Sequence, residues 1–241
     1  MTPSPALDVR GLGLRLGGRT ILHQVTFAAD AGQITALLGP NGAGKTSIIR
    51  CCTGLLPVAS GTVTIGGKSV EEAVAAGAVG LMPQSVGAWS GIRPLELLHH
   101  LAGLHRHPLP VSELAERLGI DTFAKVAVRR LSGGQQQVLN LAGAIIGRPA
   151  LVHLDEPSTG LDPHVRREVW QLIGELRDAG TAVLLTTHAM DEAEKLADQV
   201  HILDRGQIVR SGTIAELTAT ADLETVFLSV TREGGVPDAR G

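Results

Sequence analysis

The stretch QITALLGPNGAGKTSIIRCC, residues 33–52, joins a continuous apolar run to a glycine-rich loop and then to a helical pattern. Its centre, GPNGAGKT (39–46), fits the spacing G-x-x-x-x-G-K-[ST] that binds phosphate between a buried strand and a helix. Backbone N–H groups can wrap a phosphate closely where glycine leaves no side chain in the way. The stretch therefore predicts an α/β fold with a P-loop NTPase core.

The residue types in this loop have separate physical reasons. The loop amides and the N-terminus of the following helix favour anions. The Lys45 ammonium is expected to reach the β- and γ-phosphates, and the Thr46 hydroxyl is expected to ligate Mg²⁺. The predicted nucleotide-binding residues here are Gly39, Pro40, Asn41, Gly42, Ala43, Gly44, Lys45, Thr46 and Ser47.

Two more continuous apolar runs, LVHLD (151–155) and TAVLLTT (181–187), resemble the run before the loop. Such runs are typical of strands buried on both faces, and each leads into a helical pattern, which indicates parallel winding. The helix is clearest at 163–179, where apolar residues recur every three or four positions. LDVRGLGLRL (7–16) and ILHQVTFAA (21–29) instead predict an N-terminal antiparallel portion.

The middle of the chain has a different pattern. From Pro94 to Gly147 the apolar spacing is helical and no convincing strand occurs. We therefore predict one domain over residues 1–241. Its nucleotide-binding core comprises 1–84 and 151–220, a helical subdomain is inserted at 85–150, and 221–241 form a short C-terminal tail.

LVHLDE (151–156) ends a buried strand in two carboxylates. Asp155 can reach Mg²⁺ directly or through water, because this strand end faces the phosphate loop. Glu156 points elsewhere and can orient or deprotonate the attacking water. Paired acids at a strand end can also be merely solvated or cap a turn, but beside GPNGAGKT a catalytic role is favoured.

A second glycine-rich turn, LSGGQ (131–135), begins another helical pattern. Ser132 fits an N-cap, and the following glycines and helix start would favour an anion. Taken alone, SGG is a common helix-start turn. Two such sites can serve one nucleotide from opposite sides only if they come from different molecules.

LSGGQ, with GPNGAGKT before it and LVHLDEPSTGLD after it, resembles the nucleotide-binding subunit of ABC transporters over about residues 7–230. The resemblance implies that Ser132, Gly133, Gly134 and Gln135 contact ATP held by a partner subunit in a head-to-tail dimer. It further implies that Gln84 senses Mg²⁺ and links the nucleotide to a membrane partner. Asp162 would cross the dimer interface, and His188 would contact the γ-phosphate.

TTHAMDEAEKLADQVHILDRGQIVRSGT (186–213) resembles the exporter-type branch paired with ABC-2 membrane proteins. The resemblance implies ATP and Mg²⁺ as cofactors and a membrane transporter subunit that contacts the chain near Gln84 to Glu96. The alternative is a soluble ABC ATPase in translation or DNA repair. Ribosome-acting members usually carry two modules, and DNA-repair members insert long coiled coils between the glycine loops; this sequence has neither.

Composition bears on partners and location. The net charge is −3, and the chain has three Phe, two Trp and no Tyr, so neither a basic stripe nor a stacking platform for nucleic acid is expected. No charged leader precedes an apolar run, and no run approaches the ~20 residues that span a bilayer. The only two cysteines are adjacent, which suits a reducing compartment. These features favour a soluble protein of the cytoplasm, and the resemblance to ABC transporter subunits implies a peripheral position on the cytoplasmic face of the membrane.

Some positions depart from the family pattern. Leu16 stands where members usually have an aromatic that stacks on adenine, which predicts weaker ATP binding or relaxed discrimination against GTP. Gln137 and Gly143 stand where arginine is common, which predicts lost ion pairing rather than lost catalysis. His99, His100, His105 and His107 fit a solvated or partner-facing helix better than a metal site. Trp89 could be an interface anchor or a core residue.

Overall fold

The computed structural model describes residues 4–83 and 91–231, which form two β-sheets with flanking helices. The smaller sheet is antiparallel, in the order β2-β1-β4-β5. Its strands are β1 (Leu7–Leu16), β2 (Arg19–Ala29), β4 (Ser60–Ile65) and β5 (Lys68–Ser69). This sheet confirms the predicted N-terminal antiparallel portion and adds two strands that the sequence patterns did not indicate.

The larger sheet has the order β10-β9-β3-β8-β7-β6. Five of its strands are mutually parallel, and β10 pairs antiparallel at one edge. Its strands are β3 (Ile34–Leu38), β6 (Val79–Met82), β7 (Leu151–Asp155), β8 (Ala182–Thr187), β9 (Gln199–Asp204) and β10 (Gln207–Gly212). The mixed sheet confirms the predicted α/β class and P-loop architecture.

Apolar spacing explains how the helices cover this sheet. Every residue of β3, β7 and β8 is buried, as their continuous apolar runs predict. The longest helix, α6, buries Val169, Leu172 and Ile173 on one face, and each such side chain stabilises the fold by about 1.5–3 kcal/mol. The helices are α1 (Lys45–Cys52), α2 (Val70–Ala75), α3 (Pro94–Ala102), α4 (Val111–Arg117), α5 (Gly133–Ile145), α6 (Pro163–Asp178), α7 (Met190–Leu196), α8 (Ile214–Leu217) and α9 (Leu223–Thr231).

Residues 91–150, as far as the structure describes them, contain α3, α4, α5 and two 3₁₀ turns and no strand. Their apolar side chains share one buried cluster with the sheet, in which Leu98 and Val138 lie with Met82 and Val152. The helical segment is therefore anchored on one sheet face. Its assignment as a subdomain spanning 85–150 remains a prediction.

The C-terminal segment packs on the same face of the larger sheet as the helical segment, at the end formed by β3 and β9. In α9, Leu223 and Val226 are buried in a cluster with Ala193 of α7 and Val200 of β9. Within the residues described, no helix is both long and apolar enough to cross a bilayer.

Gly206, in the turn between β9 and β10, joins the two sheets to the phosphate loop. Its N–H donates to the Ala43 carbonyl at 2.8 Å, and its carbonyl accepts from the His23 N–H at 2.9 Å. Its φ is +76°, and a Cβ added there would meet the Ile21 carbonyl. Only glycine fits this conformation and this close approach.

We expect Gly206→Ala to lower the free energy of unfolding by about 2–3 kcal/mol, because it adds both left-handed strain and a collision with backbone. Urea denaturation measures the change. Gly18→Ala is a matched control, since Gly18 has φ +80° but open space around its added Cβ. If both variants lose the same free energy of unfolding, the collision with the Ile21 carbonyl does not contribute to the destabilisation.

Candidate nucleotide-binding site

The phosphate loop lies between β3 and α1, at the carboxyl edge of the parallel strands, where α/β sheets bind ligands. Gly44 is the N-cap of α1 with φ +111°, and its carbonyl accepts the first helical bond from the Ile48 N–H at 3.0 Å. A Cβ at Gly44 would lie 2.8 Å from Leu22 Cδ2. The chain can therefore turn from loop into helix here because this residue is glycine.

Lys45 is the first residue of α1, and its side chain lies within the loop. Its Nζ donates to the Gly39 carbonyl at 2.6 Å and to the Pro40 carbonyl at 3.2 Å. Burial lowers the pKa of Lys45, and the Glu156 and Asp155 carboxylates oppose that shift. The loop thus holds an ammonium group close to two acidic side chains.

Asp155 ends β7 and is 2% exposed. The Thr46 hydroxyl donates to its Oδ2 at 2.9 Å, and the Thr186 hydroxyl donates to its Oδ1. Thr46 and Asp155 thus bring a hydroxyl and a carboxylate together beside the loop. Hard oxygen donors of this kind fit Mg²⁺, which proteins bind through one or two such groups plus substrate phosphates and water.

Glu156 follows directly and is also buried, at 5% exposed. Its Oε1 lies 3.1 Å from His188 Nδ1, and its Oε2 accepts from the Thr159 hydroxyl at 3.4 Å. The pairing of Asp155 with Thr186 in the β7–β8 register explains why the carboxylate and the imidazole meet. The half-exposed His188 forms the solvent side of this pair.

These residues surround one cavity of about 490 Å³. The phosphate loop forms one side, and the Glu156–His188 pair forms the other. The lining residues are Ile21, Asn41, Gly42, Gly44, Lys45, Thr46, Ser47, Glu156, Thr159 and His188. Lys45, Thr46, Glu156 and His188, each predicted from its own motif, therefore lie together.

A second cavity, of about 550 Å³, lies at the start of α5. Ser132 caps this helix as predicted: its Oγ accepts from the Gln135 N–H at 3.2 Å, while Gln135 Oε1 accepts from the Ser132 N–H at 3.0 Å. Gly133, Gly134, Gly160 and Asp162 line the cavity with this capping pair, and Phe123 and Val138 add apolar wall.

The structure thus separates the predicted residues into two groups. Ser132, Gly133, Gly134, Gln135 and Asp162 line the second cavity, whereas the loop residues, Glu156 and His188 line the first. Gly39 and Ala43 are buried in the supporting part of the loop, with Pro40 half-buried. Gln84 and Trp89 lie outside the described residues.

Some residues that contribute to the site were not predicted from the sequence. Thr186 binds Asp155, Thr159 binds Glu156, and Ile21 lines the first cavity. The strand end LLTT offered a weak signal for Thr186, since hydroxyls at this edge face the site. Gln137 was expected only to lack an ion pair, yet its Nε2 donates to the Glu156 carbonyl at 3.2 Å.

Among the residues described, no group of three or more His, Cys, Asp or Glu side chains could hold a metal ion. Of the four clustered histidines, His105 packs its ring where a Cβ at Gly147 would lie. Its ring is thus in close contact with the chain at Gly147.

The family described as ABC transporter matches residues 22–159. The chain is 37% identical over 238 residues to the daunorubicin resistance ATP-binding protein DrrA3 of Streptomyces coeruleorubidus, covering 95% of the chain and 75% of that relative. It is 35% identical over 214 residues to the Nod factor export ATP-binding protein I of Sinorhizobium fredii, covering 86% of the chain and 62% of that protein.

Among solved structures, an ATP-binding subunit of an ABC transporter matches with a TM-score of 0.85 at 26% identity, covering 93% of this chain and 99% of that one. This family hydrolyses ATP in general. The structural match agrees with the two-sheet fold of this chain. The chain therefore belongs to the ABC transporter family, as an ATP-binding protein with a P-loop ATPase fold.

Proposed function

We propose that this chain hydrolyses MgATP to power a membrane exporter of the ABC-2 type, acting as a dimer on the cytoplasmic face of the membrane. The arrangement of side chains in the first cavity is the observation that supports ATP hydrolysis. There a phosphate loop with its ammonium group faces a buried carboxylate paired with an imidazole. This arrangement suits phosphoryl transfer to water, in which positioning and charge stabilisation do most of the catalysis.

Each residue of the cavity has a distinct role in this reaction. Lys45 and the loop amides bind the β- and γ-phosphates, and Thr46 and Asp155 would hold Mg²⁺. When bound, the cation neutralises charge that develops on the phosphate oxygens. The Glu156 carboxylate accepts a proton from the attacking water, while His188 orients that carboxylate and contacts the γ-phosphate. The bond from the γ-phosphorus to the β,γ-bridging oxygen breaks, giving ADP and phosphate.

The second cavity supports a head-to-tail dimer. Ser132 to Gln135 begin a helix whose N-terminal amides favour an anion, but they line a cavity other than that of the phosphate loop. We infer that this turn contacts the γ-phosphate bound by a second ATP-binding subunit, with Asp162 at the interface. ATP then closes the dimer, and hydrolysis reopens it.

The relatives favour export as the coupled process, since one is named for daunorubicin resistance and another for Nod factor export. The segment from Gln84 to Glu96 is the proposed contact with the membrane subunit. Glu96 lies in the first turn of α3, where its carboxylate accepts from the Arg93 N–H at 2.9 Å. A soluble role in translation or DNA repair is the competing function.

Affinity purification of the tagged chain from detergent-solubilised membranes of its native host tests this assignment. Mass spectrometry is expected to find a multi-spanning membrane protein in stoichiometric amount, with the tag alone as control. Recovery of only ribosomal, DNA-bound or other soluble partners would overturn the transport role and leave the ATPase chemistry standing.

The leucine at position 16, in place of an aromatic residue, leads to a separate prediction about ATP affinity. Leu16 ends β1 and is 40% exposed, so a larger ring fits there without repacking the core. We expect Leu16→Tyr to lower the dissociation constant for ATP about tenfold, because stacking on a base contributes about 1–3 kcal/mol. Fluorescence titration with an ATP analogue measures this. Leu55→Tyr, at another exposed leucine, is the control, and equal constants for Leu16→Tyr and wild type would refute the prediction.

A further inference from the structure

Gln137 makes a buried contact between the helix of the second cavity and the carboxylate residue of the first. It lies on α5, five residues after the Ser132 cap, and is 9% exposed. Its Nε2 donates to the Glu156 backbone carbonyl at 3.2 Å. The contact therefore joins two segments that lie in different motifs and in different parts of the fold.

The Glu156 backbone needs such support. Its φ is +54°, a left-handed conformation that costs energy for any residue other than glycine. Its N–H donates to the Thr186 carbonyl at 3.0 Å, and its carbonyl also accepts from the Thr159 N–H at 3.3 Å. The peptide is thus fixed by β8, by its own turn and by α5, and only the last of these contacts comes from the helical segment.

Stability alone does not explain a glutamine at this position. Its Oε1 is buried without a hydrogen-bond partner within 4–83 and 91–231. An unpartnered buried carbonyl is unfavourable, whereas an apolar side chain of the same length would avoid that cost. With this amide orientation the nitrogen donates to the Glu156 carbonyl, whereas the flipped amide would place two oxygens against each other.

We propose that Gln137 is a positioning residue for Glu156: it holds the backbone that aims the carboxylate at the cavity, and it couples that carboxylate to the turn at Ser132. The proposal rests on the proposed ATPase function. Ser132 and Gln137 are little more than one helical turn apart, so a shift of the turn moves Gln137 as part of the same rigid segment. The carboxylate that activates water is then sensitive to what binds at the second cavity.

Gln137→Met tests this directly, since methionine has a similar length and lacks both the donor and the unpartnered acceptor. We expect kcat for ATP to fall at least tenfold, because small displacements of a catalytic group are costly. The KM for ATP should change less than about twofold, because Lys45 and the loop are untouched. The melting temperature should stay the same or rise, because the unpartnered oxygen is gone.

Two further variants control this experiment. Gln136→Met makes the same change one residue earlier, where the amide donates to the Leu131 carbonyl at 3.2 Å, and kcat should be close to wild type. Gln137→Glu keeps the shape but sets a carboxylate against the Glu156 carbonyl, so kcat should fall at least as far as in Gln137→Met.

Wild-type kcat in both Gln137 variants would overturn the proposal. A fall in kcat accompanied by a clearly lower melting temperature would also overturn it, because general destabilisation would then explain the lost activity. An active wild type with an inactive Glu156→Gln variant and an unaffected Gln137→Met variant would remove only this inference. A wild-type protein that hydrolyses no ATP would remove the proposed function and this inference together.

Discussion

Replacing Glu156 by glutamine is expected to lower kcat for ATP by about 10³-fold while ATP still binds. Glutamine keeps the shape of the side chain and can remain beside His188, whose Nδ1 lies 3.1 Å from the Glu156 carboxylate. It cannot accept a proton from water. The loop contacts of Lys45 are unaffected, so the dissociation constant for ATP should stay within a few fold of wild type. Phosphate release and ATP titration measure the two quantities.

The same variant should accumulate as a dimer in MgATP, because hydrolysis is the step that reopens the proposed assembly. Size-exclusion chromatography with light scattering, with and without ATP, measures this. Glu192→Gln is the matched control, since Glu192 is another buried carboxylate, does not line the first cavity and accepts from Trp170 Nε1 at 3.0 Å. It should keep most of its kcat. A Glu156→Gln variant with more than about a tenth of wild-type kcat would remove Glu156 as the base.

Lys45→Ala is expected to weaken ATP binding about 100-fold, the effect of deleting a charged donor that contacts two phosphates. Lys45 is 6% exposed and its ammonium already lies inside the loop, so little reorganisation opposes its contact with the ligand. Isothermal titration with MgATP measures the affinity. Lys68→Ala, at an exposed lysine on β5, is the control and should leave the affinity unchanged. A Lys45→Ala affinity within threefold of wild type would contradict the assigned role.

Much of the fold followed from local patterns, and the exceptions have physical reasons. β3, β7 and β8 are continuous apolar runs because both of their faces are covered. β10 was not predicted, because it is an edge strand with mostly exposed residues and no apolar alternation. β6 has four residues and includes Gly80, so it is too short for a periodic signal.

In the candidate site, too, some residues could be predicted from the sequence and others could not. Lys45, Thr46, Asp155 and Glu156 were predicted because each belongs to a contiguous motif with a fixed spacing to the phosphates. The contacts that organise them depend on which strands are neighbours, and no local pattern specifies that. Thr186 reaches Asp155 only because β7 and β8 pair in this register. Gln137 could not be found from the sequence for the same reason, since it lies on a different helix.

The position of β3 also has a consequence for biosynthesis. Its neighbours on either side, β8 and β9, and the Gly206 N–H that binds the Ala43 carbonyl, all come from the last quarter of the described chain. A ribosome adding about 5–20 residues per second needs about 8–30 s to pass from Ala43 to Gly206. The nascent phosphate loop is therefore synthesised well before β8, β9 and Gly206, and it lacks these supports until they too have been translated.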